Sequence, residues 1–149
     1  MKKFNFPLNT VLSYKQQHLD FLQTEHAAIL EKMRTAEQRL AALNARYRAE
    51  QLEYREKSSM GMSITEAKFW ESAFRAMERD IRAAEIQLEE QRKCAEDKRL
   101  EVVEAKKETM SIEKLKAKKR AAYQKAEAKD EEIFIDEFVS STQSVANRV

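Results

Sequence analysis

The chain has 149 residues but only one glycine, Gly61, and one proline, Pro7. These two residue types supply the positive or fixed φ angles on which tight turns depend, so a chain this poor in both can make few turns. Charged residues make up 36% of the sequence, and the apolar residues recur with a helical period. That combination is typical of long helices and coiled coils rather than of disordered chains. We therefore predict an all-α fold.

Apolar residues form two narrow stripes, one on each side of Gly61, with alternating spacings of four and three. A stripe limited to two positions in seven is the seam of a coiled coil, because a globular helix has a wider apolar face. The first stripe consists of Leu12, Leu19, Leu22, His26, Ile29, Met33, Ala36, Leu40, Leu43, Tyr47 and Tyr54, and the second of Trp70, Phe74, Met77, Ile81, Ala84, Leu88, Ala95 and Val102.

The region around Gly61 predicts a reversal of the chain. Ser63 and Glu66 match a capping box, so a helix restarts at about Ser63. We predict a single elongated antiparallel two-helix coiled-coil hairpin with unequal arms, in which Leu22 faces Leu100. A continuous helix through Gly61 is the alternative. The predicted segments are a first helix over about 8–57, a turn over about 58–63, a second helix over about 63–139 and a flexible tail over 140–149.

Charge is unevenly distributed beyond the end of the first arm. Residues 114–129 carry seven basic residues and one acidic residue, a local charge of +6, and residues 130–138 contain five acidic residues. Ile133, Phe134 and Phe138 lie within this acidic segment, where the hairpin offers no partner to bury them. Partner binding or self-association is therefore the favoured interpretation of these apolar residues.

The sequence lacks the residue patterns of phosphate-binding, metal-binding and membrane-spanning segments. Phosphate-binding loops need several glycines, and His18 and His26 do not have the i, i+4 spacing of a helical metal site. We therefore expect no catalytic site, no cofactor and no metal. No apolar run approaches the roughly 18 residues that cross a bilayer, so we expect no membrane insertion. A lone Cys94 fits a reducing compartment.

The order of these features resembles the flagellar export protein family called FliJ over nearly the whole chain. The likeness rests on an opening F-x-F-x-L, formed by Phe4, Phe6 and Leu8 and followed by a leucine and a basic residue. It continues through an aromatic and apolar run just after the turn, the stretch EKLKAKKRAAY, and the closing IDEFV.

The resemblance implies a cytoplasmic, non-enzymatic component of the flagellar type III export apparatus, peripheral at the membrane and similar to the stalk of rotary ATPases. It implies three partners: the hexameric export ATPase, the cytoplasmic domain of the export gate, and export chaperones. It also implies that the protein promotes assembly of the ATPase. The gate-binding residues would be Trp70, Phe74, Met77 and Ile81. The residues for the ATPase or chaperones would be Phe4, Phe6, Lys116, Lys119, Arg120, Ile133, Phe134, Asp136, Glu137 and Phe138.

Other functions remain open at this point. The stalk hypothesis predicts a largely monomeric protein, and a stalk from an injectisome is its nearest variant. A structural dimerising coiled coil, or an adaptor without an ATPase partner, would instead pair helices between two chains. Nucleic-acid binding through residues 114–129 would show a steep salt dependence. We expect no nucleic-acid partner, because the acidic segment follows the basic one at once.

Overall fold

The computed structural model describes residues 2–148, so Met1 and Val149, the last residue of the predicted tail, lie outside the described residues. Within that range the chain forms two helices and no strand: α1, Asn9–Ser59, and α2, Ile64–Ala146. The helices pack against each other and are joined by a short turn. The predicted all-α helical hairpin is thus confirmed, with 51 residues in α1 and 83 in α2.

The turn has the backbone that its sequence predicts. Gly61 has a φ of +96°, and its N–H donates to the Ser58 carbonyl oxygen at 3.2 Å. At the start of α2 the Glu66 N–H donates to Ser63 Oγ at 3.2 Å, as the capping box requires. The continuous-helix alternative is therefore wrong, since α1 ends before Gly61 and α2 starts after it.

We predict that Gly61→Ala lowers the free energy of unfolding by about 1 kcal/mol, because an L-residue at positive φ is strained. Nothing lies within 4 Å of the position that a Cβ would take, so the loss is conformational and not steric. Urea unfolding followed by circular dichroism measures the change. Met60→Ala, at the exposed neighbouring position, is the control and should stay within about 0.5 kcal/mol of the wild type. Equal stability of Gly61→Ala and the wild type would contradict this account of the turn.

The fold divides into two compact units. The turn unit is Asp20–Val103, and the terminal unit combines Met1–Leu19 with Glu104–Val149. In the turn unit every predicted stripe residue is buried or half-buried, which confirms the coiled-coil seam. The most deeply buried side chains there are Leu22, Ala36, Ala84, Leu88 and Ala95.

One predicted pairing in the turn unit is wrong. Leu100, the predicted partner of Leu22, is 53% exposed. Continuing the seam spacing from Ala95, three residues lead to Lys98 and four more lead to Val102. Both of these residues are half-buried. Lys98 therefore takes the seam position, where it donates to Glu25 at 2.8 Å and to Glu101 at 2.9 Å.

The terminal unit continues the same packing between the start of α1 and the second half of α2. Leu12 and Ala105 are buried, and the buried Thr109 hydroxyl donates to the Ala105 carbonyl oxygen at 2.8 Å. Lys15 pairs with Glu108 at 2.8 Å.

The last part of α2 has no covering partner among the described residues. Every residue of 128–148 is exposed. The sequence predicts a helix end near residue 139, but α2 continues to Ala146. No glycine or proline follows Gly61 to interrupt it.

Candidate partner-binding surfaces

An aromatic cluster occupies the part of the turn unit nearest Gly61. The Phe74 ring lies 5.7 Å from that of Tyr47, 5.6 Å from that of Tyr54 and 5.8 Å from that of Trp70, measured between centroids. The Tyr54 ring also lies 5.8 Å from the Trp70 ring. Lys57 Nζ sits 5.3 Å from the centre of the Trp70 ring, a cation–π distance. These contacts join α1 to α2, so the cluster stabilises the hairpin.

The four residues predicted to bind the gate all lie on this seam. Trp70, Phe74, Met77 and Ile81 are half-buried. Only the outer edges of these side chains are therefore accessible to another protein.

Sequence reasoning missed a group of exposed apolar residues close to the turn. Phe69 is 73% exposed, and Met60 and Ile64 are also strongly exposed. Ile64 and Phe74 line a shallow cleft of about 330 Å³. The sequence could have identified them by their positions off the heptad seam, because large apolar residues outside a seam have no intramolecular partner.

The terminal unit contains an apolar groove of about 530 Å³, formed where the segment before α1 lies against α2. The Tyr123 hydroxyl donates to the Lys2 carbonyl oxygen, and the Phe4 ring lies 5.4 Å from the Tyr123 ring. Phe6 is 3% exposed, so it is a packing residue of the groove and offers little surface to a partner.

The rim of this groove is positively charged. Lys2, Lys3 and Lys119 line the groove itself. Lys116 and Arg120 line a recess that shares Phe4 and Tyr123 with it. The structure thus brings together Phe4, Phe6 and the three predicted basic residues. Sequence reasoning missed the role of Tyr123, although its place seven residues after Lys116 continues the seam spacing.

The residues of the acidic segment that were predicted to bind the ATPase or chaperones lie on α2. Phe134 is 69% exposed and Phe138 65%, and Ile133, Asp136 and Glu137 are exposed as well. Ile135, Val139 and Val145, which the sequence analysis did not single out, add to this apolar surface. Exposed apolar surface of this kind is a candidate surface for partner binding.

Among the described residues, three ion pairs join α1 to α2: Lys15 with Glu108 in the terminal unit, and Lys98 with Glu25 and Arg92 with Glu37 in the turn unit. The hydrogen bond from Lys15 to Glu108 raises the pKa of Lys15 and lowers the pKa of Glu108. In the turn unit the hydrogen bonds to Glu25 and Glu101 raise the pKa of Lys98, whose side chain is 19% exposed. Because each pair joins residues far apart in sequence, it specifies register.

The described part of the chain has neither a cluster of metal ligands nor a helix that could span a membrane. Over residues 2–148 no three His, Cys, Asp or Glu side chains are placed to hold a metal ion. Neither helix, over the residues described, has a stretch long and apolar enough to span a bilayer.

These features define a helical coiled-coil protein with exposed aromatic and charged surfaces. The model of the family described as "Flagellar FliJ protein" matches residues 4–148, and the chain belongs to that family. It is therefore a flagellar export-related protein, and the family is a non-enzymatic one. No curated protein and no solved structure matches the chain.

Proposed function

We propose that the chain is a stalk-like accessory component of flagellar type III export. It binds the hexameric ring of the export ATPase and the export gate, and it promotes assembly of the ring and export. The observation that carries the proposal is the uncovered end of α2 in the terminal unit, where Phe134 and Phe138 are exposed; the same unit also contains a separate groove with a basic rim.

The ATPase contact is assigned to the terminal unit. Its apolar residues are Phe4, Ile133, Phe134 and Phe138, with Phe6 behind them, and its charged residues are Lys116, Lys119, Arg120, Asp136 and Glu137. Aromatic and arginine side chains carry most of the binding energy at protein interfaces, and both are present here. Export chaperones are assigned to the same surface, because an amphipathic helix and an apolar groove both suit helical partners.

The gate contact is assigned to the outer edges of Trp70, Phe74, Met77 and Ile81. The exposed Phe69 lies beside Trp70 in the sequence and enlarges this surface. The protein acts in the cytoplasm as a single copy at the membrane-bound apparatus and uses no cofactor.

The test is to mix the purified chain with the export ATPase of the same cell. We expect both the hydrolysis rate and the hexamer fraction to rise as the chain is added. Combining Phe134→Ala with Phe138→Ala should weaken this effect more than about tenfold, because truncating a central aromatic costs about 2 kcal/mol or more. Phe21→Ala, at an exposed phenylalanine of the turn unit, is the matched control. No change in either readout with the wild-type chain would contradict the proposal.

A crosslink separates this function from that of a structural dimerising coiled coil. In a Cys94→Ser background, Glu25→Cys and Lys98→Cys place two thiols where a 2.8 Å ion pair joins α1 to α2. A short bismaleimide should then link the two helices within one chain. A product of twice the mass would show that the seam pairs two chains, as the structural alternative requires.

A further inference from the structure

We propose that two free copies of this chain pair through their terminal units. The acidic tail helix of each copy, residues 130–146, docks into the basic-rimmed groove of the other. The pairing goes beyond the proposed ATPase and gate contacts, and it is tested with the purified chain alone.

The groove fits an apolar helix with acidic flanks. Its walls are largely apolar, with Phe6, Leu8, Leu115 and Tyr123 contributing. Lys2, Lys3 and Lys119 stand around it, and the adjoining recess adds Lys116 and Arg120. An occupant must therefore supply apolar side chains to the floor and negative charges to the rim.

The acidic tail helix has this pattern. At 3.6 residues per turn, Phe134, Phe138 and Val145 fall close to one line along the helix. Ile135 flanks that line on one side, and Glu137 flanks it on the other, each about 80° away. Glu132 and Asp136 fall on the opposite side. All of these side chains are exposed, so the helix has a narrow apolar stripe with the acidic Glu137 on its flank and two further acidic residues behind it.

A tail helix cannot reach the groove of its own chain while α2 is intact. Lys119 at the groove and Phe138 in the tail belong to one continuous helix. At 1.5 Å per residue they are about 28 Å apart along its axis. A second copy is consequently the source of the occupant.

Two α2 ends laid antiparallel satisfy both docking contacts at once. If Phe138 of one copy lies level with Lys119 of the other, the twofold axis passes near Ala128 and Lys129. The same operation then places Phe138 of the second copy level with Lys119 of the first. Such an isologous pair closes on itself and leaves no free site for a third copy.

Charge favours the same alignment. Residues 114–129 carry a net charge of +6, and residues 130–138 contain five acidic residues and no basic one. The antiparallel pair sets each basic segment beside the acidic segment of the other copy. A parallel pair would instead set like charges side by side, which repels.

The pairing covers Phe134, Phe138, Lys119 and Arg120 in both copies, which are residues assigned above to the ATPase. The dimer is thus a form that must dissociate before one copy acts at the ring. Excess ATPase should convert dimer into monomeric chain bound to the ring.

Two charge-reversed variants test the proposal with the purified full chain alone. The groove variant combines Lys116→Glu, Lys119→Glu and Arg120→Glu, and the tail variant combines Glu132→Lys, Asp136→Lys and Glu137→Lys. In sedimentation equilibrium at low salt we expect the wild type to have twice the mass of one chain. We expect each variant alone to dimerise at least about tenfold more weakly, because groove and tail then carry the same sign.

Mixing the two variants should restore the dimer. The negative groove of the first then meets the positive tail of the second, and the remaining groove and tail keep their native signs. Recovery of the dimer in the mixture also rules out misfolding as the cause of dissociation. Circular dichroism of each variant should show wild-type helicity.

The apolar part of the contact has its own test. Combining Phe134→Ser with Phe138→Ser should abolish the dimer, whereas Ile86→Ser, at an exposed residue of the turn unit, should leave it intact. A monomeric wild type at micromolar concentration would overturn the proposal. So would higher oligomers in place of a dimer, or a mixture of variants that stays monomeric. Loss of ATPase stimulation with an intact dimer would count only against the proposed function.

Discussion

Leu88→Ala is expected to lower the free energy of unfolding by about 3 kcal/mol. Leu88 is 5% exposed and lies on the α2 seam of the turn unit. Truncation removes the transfer free energy of its methyl groups and leaves a cavity in the seam between α1 and α2. Since a domain is stable by only about 5 to 15 kcal/mol, the loss is a large fraction of the total.

The control for this prediction lies two residues away on the same helix. Ile86 is 59% exposed, so Ile86→Ala removes little buried surface and replaces a β-branched residue with the best helix former. We expect its free energy of unfolding to remain within about 0.5 kcal/mol of the wild type. Urea unfolding monitored at 222 nm compares the two variants. Similar losses at both positions would mean that the seam lies elsewhere on α2.

Phe74→Ala is expected to cost about 3 kcal/mol, because Phe74 is the centre of the aromatic cluster. Its ring contacts those of Tyr47, Tyr54 and Trp70, with centroids 5.6 to 5.8 Å apart. Removal of the ring should also expose Trp70, the single tryptophan of the chain, and shift its emission to longer wavelength.

Phe69→Ala is the matched control, since Phe69 is 73% exposed and does not belong to the aromatic cluster. It should leave both the stability and the tryptophan emission close to those of the wild type. If Phe69→Ala proved as damaging as Phe74→Ala, the assignment of the seam near the turn would be wrong. The comparison also has a functional use. Because Phe74 supports the fold, only Phe69→Ala can probe gate binding without loss of stability.

The seam and the turn could be predicted because their signals are local. Whether Leu88 faces α1 is decided by its spacing from Ala84 and Ile81, and the reversal is decided by Gly61 and the Ser63 cap. The pairing of Leu22 with Leu100 failed because it placed partners at equal sequence distances from Gly61, whereas the heptad spacing on α2 leads to Lys98 and Val102. Polar residues on a seam are tolerated when their charged ends reach the surface, as that of Lys98 does.

The groove of the terminal unit could not be predicted in the same way. The segment before α1 has no helical period, and its place depends on contacts between residues distant in sequence, chiefly Tyr123 with Lys2 and Phe4. No local pattern encodes such a contact. Exposure of the α2 end was easier to foresee, since the first helix is too short to cover it.

Alanine accounts for four of the eight buried apolar side chains among the described residues: Ala36, Ala84, Ala95 and Ala105. A methyl group loses no rotamer entropy on burial and allows helix axes to approach closely, towards the lower end of the 8–10 Å range. A larger side chain at any of these positions would act as a wedge and force the helices apart. Sequence drift at these four sites should therefore be limited to residues as small as serine or glycine, while the leucine sites accept exchange among apolar residues of similar volume.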